Sequence, residues 1–128
     1  MPYLNFQGNT EEVLNTYQKI FNGNVEQLIR FGDQFQGDDA YKNNILHARL
    51  SFGNTTLLFS DCMPKDQIIH GNGIHLCIEL KGENEANRVF AELSEGGQVN
   101  MPLSKQFWGA LYGQLTDRFG INWMINCG

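Results

Sequence analysis

A strand–turn–strand pattern that occurs twice limits this chain more than any other feature. Residues 106–128, QFWGALYGQLTDRFGINWMINCG, read as an extended stretch from Ala110 to Thr116, a turn at Asp117-Arg118-Phe119-Gly120, and a second strand from Ile121 to Cys127. Asp accepts a hydrogen bond from the backbone two residues on and Gly takes a positive φ, so Asp117 reads as a turn residue. Gly113, inside the first strand, marks a close backbone approach or a bend. Residues 45–61, ILHARLSFGNTTLLFSD, repeat the order. Laying Phe52-Gly53 on Phe119-Gly120, an offset of 67, puts Thr56, Leu58 and Ser60 opposite Trp123, Ile125 and Cys127. Before the turn, Leu50-Ser51 falls opposite Leu115-Thr116 at an offset of 65.

The correspondence extends upstream, where Tyr3-Leu4-Asn5-Phe6 can be laid on His75-Leu76-Cys77-Ile78. Each is followed by an amphipathic segment and a Gly-x-Val start, at Gly23 and Gly97. The chain therefore reads as two copies of strand, helix and three strands, about 1–61 and 73–128, with a Pro- and Gly-containing linker over 62–72. With 128 residues, the two halves are each marginal alone, which predicts one domain in which they share a sheet or an interface.

Both helices are read from spacing. Val13, Leu14, Tyr17, Ile20 and Phe21 make one apolar stripe, with Asn9 or Thr10 as cap, Glu11 and Glu12 at the favourable end of the dipole, and Asn22-Gly23 as the stop. Ala86, Val89, Phe90 and Leu93 make the second, within Glu83 to Leu93, ended by Gly96-Gly97. Strands are expected over Pro2 to Gln7, Val25 to Phe31, Gly73 to Leu80 and Gln98 to Leu103, the last with Pro102 marking an edge or an end. Gly32 to Asn44 is a long polar connection holding Phe35, Gly37-Asp38-Asp39, Ala40 and Tyr41, and reads equally as a lid, a partner contact or a solvated loop.

Strand alternation then points to a site. Leu46, Ala48, Leu50 and Phe52 face one way while His47 and Arg49 face the other, and Ile74, Leu76, Ile78 and Leu80 oppose His75, Cys77 and Glu79. With helices covering one face of each four-stranded sheet, the uncovered faces turned inward give an α+β fold: paired βαβββ modules forming a curved, incomplete β-barrel around a cleft. Asn5, His47, Arg49, His75, Cys77 and Gln114 fall on those faces. Burying such groups unpaired costs about 1–3 kcal/mol each, which favours a wet or ligand-filled interior. Arg49 is the anion reader, because an inward guanidinium needs a partner: a ligand carboxylate or phosphate, or internally Asp61 or Glu79. His47 beside it suits anion recognition or proton transfer as a neutral acceptor, and His75 suits acid–base work or metal ligation, while each reads equally as a satisfied structural histidine. Phe107, Trp108, Tyr112 and Trp123 read as an aromatic slot or as packing. Cys77 is a cleft residue without the marks of a nucleophile, and His70 lies in the linker.

Charge and composition exclude several classes of partner. Nine Lys and Arg against fourteen Asp and Glu give a net charge of −5 with no basic block, so nucleic acid is not expected. Without an apolar stretch of about 20 residues or a leader pattern, neither a membrane span nor export is expected. Three cysteines without paired spacing suit a reducing cytoplasm.

Several stretches together resemble the vicinal oxygen chelate superfamily of glyoxalases, extradiol dioxygenases and bleomycin resistance proteins, and more closely its PhnB-like (3-demethylubiquinone-9 3-methyltransferase-like) branch. They are Pro2 to Phe6, Glu12 to Phe21, His47-Ala48, Leu57 to Asp61 with Met63-Pro64, Phe107-Trp108-Gly109, Asp117 to Gly120, and Trp123 to Asn126. The resemblance implies paired βαβββ modules, a homodimer and, in many relatives, a divalent metal (Zn, Ni, Mn, Mg or Fe) held by His, Gln or Glu from the first and fourth strands of each module. His75 fills one such position, but Tyr3 or Asn5 fills its counterpart. The fourth strands offer Leu58, Ser60 and Asp61, and Ile125, Asn126 and Cys127, so no complete ligand set is identified. Three functions follow as expectations. The first is binding of a small anionic or aromatic metabolite through Asn5, Arg49, Cys77, Trp108, Tyr112, Gln114 and Trp123. The second is a metal-dependent lyase, isomerase or transferase acting on vicinal oxygens, with His47 and His75 catalytic. The third is a dimeric structural protein with a vestigial cavity.

Overall fold

Alternating apolar residues and two apolar helical stripes leave each half of the chain one economical solution, a sheet with a helix on one face. The computed structural model describes residues 1–34 and 40–128. Within it the chain divides into two compact units, Met1–Ile69 and His70–Gly128.

The first unit runs β1 (Tyr3–Phe6), α1 (Thr10–Phe21), β2 (Asn24–Arg30), a short α2 (Phe31–Gln34), β3 (Ile45–Phe52) and β4 (Thr55–Asp61). Its strands lie in the order β1-β4-β3-β2, with β1 parallel to β4 and the other pairs antiparallel. α1 buries Val13, Leu14, Tyr17 and Ile20 against Phe6, Ala48, Leu50, Leu57 and Phe59, and Phe21 stacks on Phe52 with ring centroids 4.2 Å apart. Four such side chains gain about 6–12 kcal/mol before conformational entropy is subtracted, which a helix this short needs because it is not stable in water alone. α1 ends at Asn22 in the left-handed conformation (φ 52°). Neither expected cap acts by its own side chain: Asn9 is the N-cap and makes no side-chain cap bond. β2 bulges at Gln27, whose φ is 54°, and this breaks the pairing register between Glu26 and Ile29. In the Gly32 to Asn44 connection, Phe35 and Gly37-Asp38-Asp39 fall outside the described residues.

The second unit runs β5 (His75–Leu80), α3 (Glu83–Ser94), β6 (Gln98–Lys105), β7 (Leu111–Thr116) and β8 (Asn122–Cys127), with sheet order β5-β8-β7-β6. β5 is parallel to β8, as β1 is to β4. α3 packs Ala86, Val89, Phe90 and Leu93 onto a core of Ile78, Leu115, Trp123 and Ile125. β6 is an edge strand, and its register slips between Met101 and Ser104, the stretch that holds Pro102. Gly113 is a close approach: a Cβ there would lie 2.7 Å from Phe90 Cε2 and 2.9 Å from Leu103 Cα. The structure is thus α+β, with two four-stranded sheets and helices on one face of each.

One part of the internal alignment is corrected by the strand registers. Leu50 pairs with Leu57 and Leu115 with Trp123, all four facing their helix. The offset of 65 before the turn therefore holds. After it, Leu57, Phe59 and Asp61 correspond to Trp123, Ile125 and Cys127, all buried, whereas Thr56, Leu58 and Ser60 are only half-buried. The offset of 67 pairs opposite faces, and the true one is a residue shorter.

Candidate functional site

The face of the first sheet away from α1 presents Tyr3 and Asn5 from β1, Leu58 and Ser60 from β4, His47 and Arg49 from β3, and Glu26 from β2. The register lines these up in rows: Tyr3, Leu58, Arg49 and Glu26 form one, while Asn5 pairs with Ser60 in the next, on the row of His47. Tyr3 is 46% exposed and its hydroxyl lies 2.9 Å from His47 Nδ1, the rings tilted at 47°. Arg49 is half-buried. Its Nη2 reaches only the weak acceptor Sδ of Met1 at 3.8 Å, and its Nε is buried with no hydrogen-bond partner among the described residues.

Both internal partners expected for Arg49 accept from other donors. Asp61 lies on the helix side, 3% exposed, where Oδ1 accepts from Gly8 N (3.0 Å), Thr10 N (3.0 Å) and Thr10 Oγ1 (2.6 Å), and Oδ2 accepts from Ile45 N (2.8 Å). It thereby caps α1 from a distant strand. Glu79 belongs to the second sheet, where it accepts from Asn126 Nδ2 at 2.8 Å. Arg49 forms no ion pair among the described residues, although Glu26 is its cross-strand neighbour.

The second sheet treats its polar face differently. Cys77, Met124, Gln114 and Met101 form one row and Glu79, Asn126, Tyr112 and Ser104 another, with Ser104 opposite Tyr112. By the registers, Tyr3 corresponds to Cys77, His47 to Tyr112 and Arg49 to Gln114, so laying Tyr3 on His75 was two residues out. The His47 and Arg49 combination therefore occurs in one half only. Most polar groups in the second half satisfy one another: Gln114 Nε2 donates to Tyr112 OH (3.1 Å), Thr116 Oγ1 to Asn122 Oδ1 (2.8 Å), and Asn122 Nδ2 to the carbonyls of Gly71 and Ile74. That face needs no ligand to pay for its polarity. Trp108, 54% exposed, meets Tyr112 edge-on at 6.1 Å and Phe107 at 4.9 Å. Trp123 is not a lining residue. It is fully buried on the helix side, and its Nε1 donates to Asp117 Oδ2 at 2.8 Å. Asp117, expected only to make a turn, also takes Phe119 N and Ile121 N on Oδ1.

Cys77 is exposed at its surface, but burial of part of the side chain, and then the nearby Glu79 carboxylate, push its thiol pKa up. A raised pKa means less thiolate at any given pH below it, so iodoacetamide near pH 8 should modify native Cys77 more slowly than the same cysteine in denaturant. Glu79→Gln should speed the native reaction; an unchanged or slower rate by mass-spectrometric labelling would contradict this cause.

The donor set does not fit a divalent metal. Among the described residues no group of three or more His, Cys, Asp or Glu side chains could hold one, and His75 has Asn122 as its neighbour on β8. An open catalytic metal site takes about three such ligands.

The fold of two helix-backed sheets is one that solved glyoxalase-related structures share. Solved structures of a glyoxalase-related enzyme from Fulvimarina pelagi and of a glyoxalase/bleomycin resistance protein/dioxygenase family enzyme from Burkholderia phytofirmans each match with a TM-score of 0.63. The chain belongs to the 3-demethylubiquinone-9 3-methyltransferase family, whose sequence profile matches residues 1–126. Protein PA1353 from Pseudomonas aeruginosa is 40% identical with a TM-score of 0.89, over 98% of this chain and 94% of that one. The PhnB protein of Bacillus cereus is 22% identical with a TM-score of 0.86, covering 100% and 98%. Protein YjdN of Escherichia coli K12 is 28% identical over 98% of this chain and 92% of its own length. No helix among the described residues is long and apolar enough to cross a membrane.

Proposed function

We propose that this chain binds a small organic anion, a carboxylate or phosphonate carrying an aromatic or apolar body, on the polar face of its first sheet. What carries the reading is Arg49, a half-buried guanidinium whose Nε is buried and unpartnered and which forms no ion pair among the described residues. A buried donor left in that state is costly, and a planar oxyanion offers the geometry that satisfies it. His47 stands two residues along on the same face, and Asn5 is exposed beside it.

Phenylphosphonate, an oxyanion on an aromatic body, is the probe, titrated by calorimetry. Arg49→Ala should weaken it about tenfold or more and Arg49→Lys by less, as expected for loss of a charge-assisted pair worth about 1.5–3 kcal/mol. Unchanged affinity in Arg49→Ala sinks the proposal.

The family's description names a methyl transfer, and a donor-lined face suits that second reading as well. In such a transfer the ligand oxygen would lose its proton to solvent and take a methyl group from an external donor, whose leaving group keeps the electron pair of the broken bond, and the charge that develops on that oxygen is what Arg49 is placed to read. No step is derived through a metal, since the ligand set does not fit one. A homodimer and a cytoplasmic setting complete the proposal, the latter supported by Cys62, Cys77 and Cys127 all being free thiols.

A further inference from the structure

We infer that Tyr3 is a positioning residue that holds His47 with its proton on Nε2, so that His47 meets a ligand as a hydrogen-bond donor and not as a base. This rests on the anion site proposed above and narrows its ligand to a group that accepts on every contact: a fully ionised carboxylate or phosphonate, rather than a neutral hydroxyl awaiting deprotonation.

Three observations carry it. The Tyr3 hydroxyl lies 2.9 Å from His47 Nδ1, within hydrogen-bond distance. Of the two groups, the phenol is the more acidic donor and the neutral ring nitrogen the better acceptor, so the proton of that bond sits on Tyr3. A neutral imidazole whose Nδ1 accepts must carry its own proton on Nε2. Next, the contact spans the sheet. Tyr3 belongs to β1, an edge strand, and His47 to β3, with β4 between them. The phenol therefore crosses β4 to make a bond that local sequence does not impose. Lastly, Arg49 follows two residues along β3 on the same face and is itself donor-only, so a His47 ring protonated on Nε2 adds a second donor to that face. The nitrogen with which His47 would accept is thus taken by Tyr3.

Long-range proton–nitrogen NMR on ligand-free protein, recorded about two pH units above the ordinary histidine value near 6.5, reads the tautomer directly. The wild type should show Nδ1 unprotonated and Nε2 protonated, and Tyr3→Phe should return His47 to the averaged pattern of a free imidazole. Tyr3→Phe should also weaken phenylphosphonate about threefold to tenfold, the range for one neutral hydrogen bond, with Arg49→Ala weakening it more. A ring protonated on Nδ1, or a spectrum that Tyr3→Phe does not change, overturns the assignment. Loss of affinity in Arg49→Ala with none in Tyr3→Phe overturns the role of Tyr3 while the anion site stands. A fixed Nε2–H tautomer in a protein that does not bind phenylphosphonate overturns the anion site and supports the Tyr3–His47 couple.

Discussion

Asp61→Ala is expected to lower the free energy of unfolding by about 3–5 kcal/mol and the melting temperature by about 10 °C or more. The carboxylate is 3% exposed and holds four donors at once: Gly8 N, Thr10 N and Thr10 Oγ1 on Oδ1, and Ile45 N on Oδ2. Those bonds tie the end of β1, the first turn of α1 and the start of β3 to the last residue of β4. Alanine leaves buried amides with nothing to donate to and removes the cap that Asn9 does not supply. Asp61→Asn separates the charge from the geometry. Its oxygen can keep the three donors on Oδ1, but its amide then points N–H at the Ile45 N–H, a clash of donors worth about 1–3 kcal/mol. Urea unfolding followed by circular dichroism should order the midpoints as wild type, Asp61→Asn, Asp61→Ala. An Asp61→Ala midpoint equal to wild type would show that the carboxylate does not hold these elements together.

Asp61 also shows where reading the sequence stops. The elements were legible because they are periodic: Ala48 and Leu50 alternate with His47 and Arg49, and Val13, Leu14, Tyr17 and Ile20 recur at helical spacing, so sheet faces and helix stripes followed. Long-range polar partners have no period. Nothing near Asp61 in sequence says that it caps a helix 51 residues away, and the Tyr3–His47 contact spans 44. The misplaced face of β8 has a different cause. Phe52 is the last residue of β3, whereas Phe119 lies inside the five-residue turn between Thr116 and Asn122, so matching the two Phe-Gly pairs set a strand residue against a loop residue. Since side chains alternate, a slip of one residue moves a whole strand to the wrong face, and Trp123 lies on the helix side with Leu57 and Leu115. Of the candidate site, His47 and Arg49 were placed on the correct face by alternation alone. That Arg49 forms no ion pair among the described residues and that His47 meets a phenol needed coordinates.

Asp117 does in the second unit what Asp61 does in the first, and it offers a cleaner measurement because its partner is a fluorophore. Asp117 is 5% exposed, and its Oδ2 accepts from the indole N–H of Trp123, itself fully buried, while Oδ1 takes the amides of Phe119 and Ile121. Asp117→Ala should cost about 3–5 kcal/mol, since it strands an indole donor in the core and two amides in the turn that joins β7 to β8. Trp123→Phe should also destabilise, through lost packing and an unused carboxylate oxygen. If the two side chains act as a unit, the double variant will be more stable than the sum of the singles predicts, with a coupling of about 1–3 kcal/mol. Trp108 is the other tryptophan and more than half exposed, so Trp108→Phe leaves Trp123 as the reporter. In that background, Asp117→Ala should move the urea midpoint down and shift the native emission of Trp123, and circular dichroism supplies the midpoint where Trp123 is absent. Strict additivity would mean that the bond between Asp117 and Trp123 contributes nothing to folding beyond the separate burial of each.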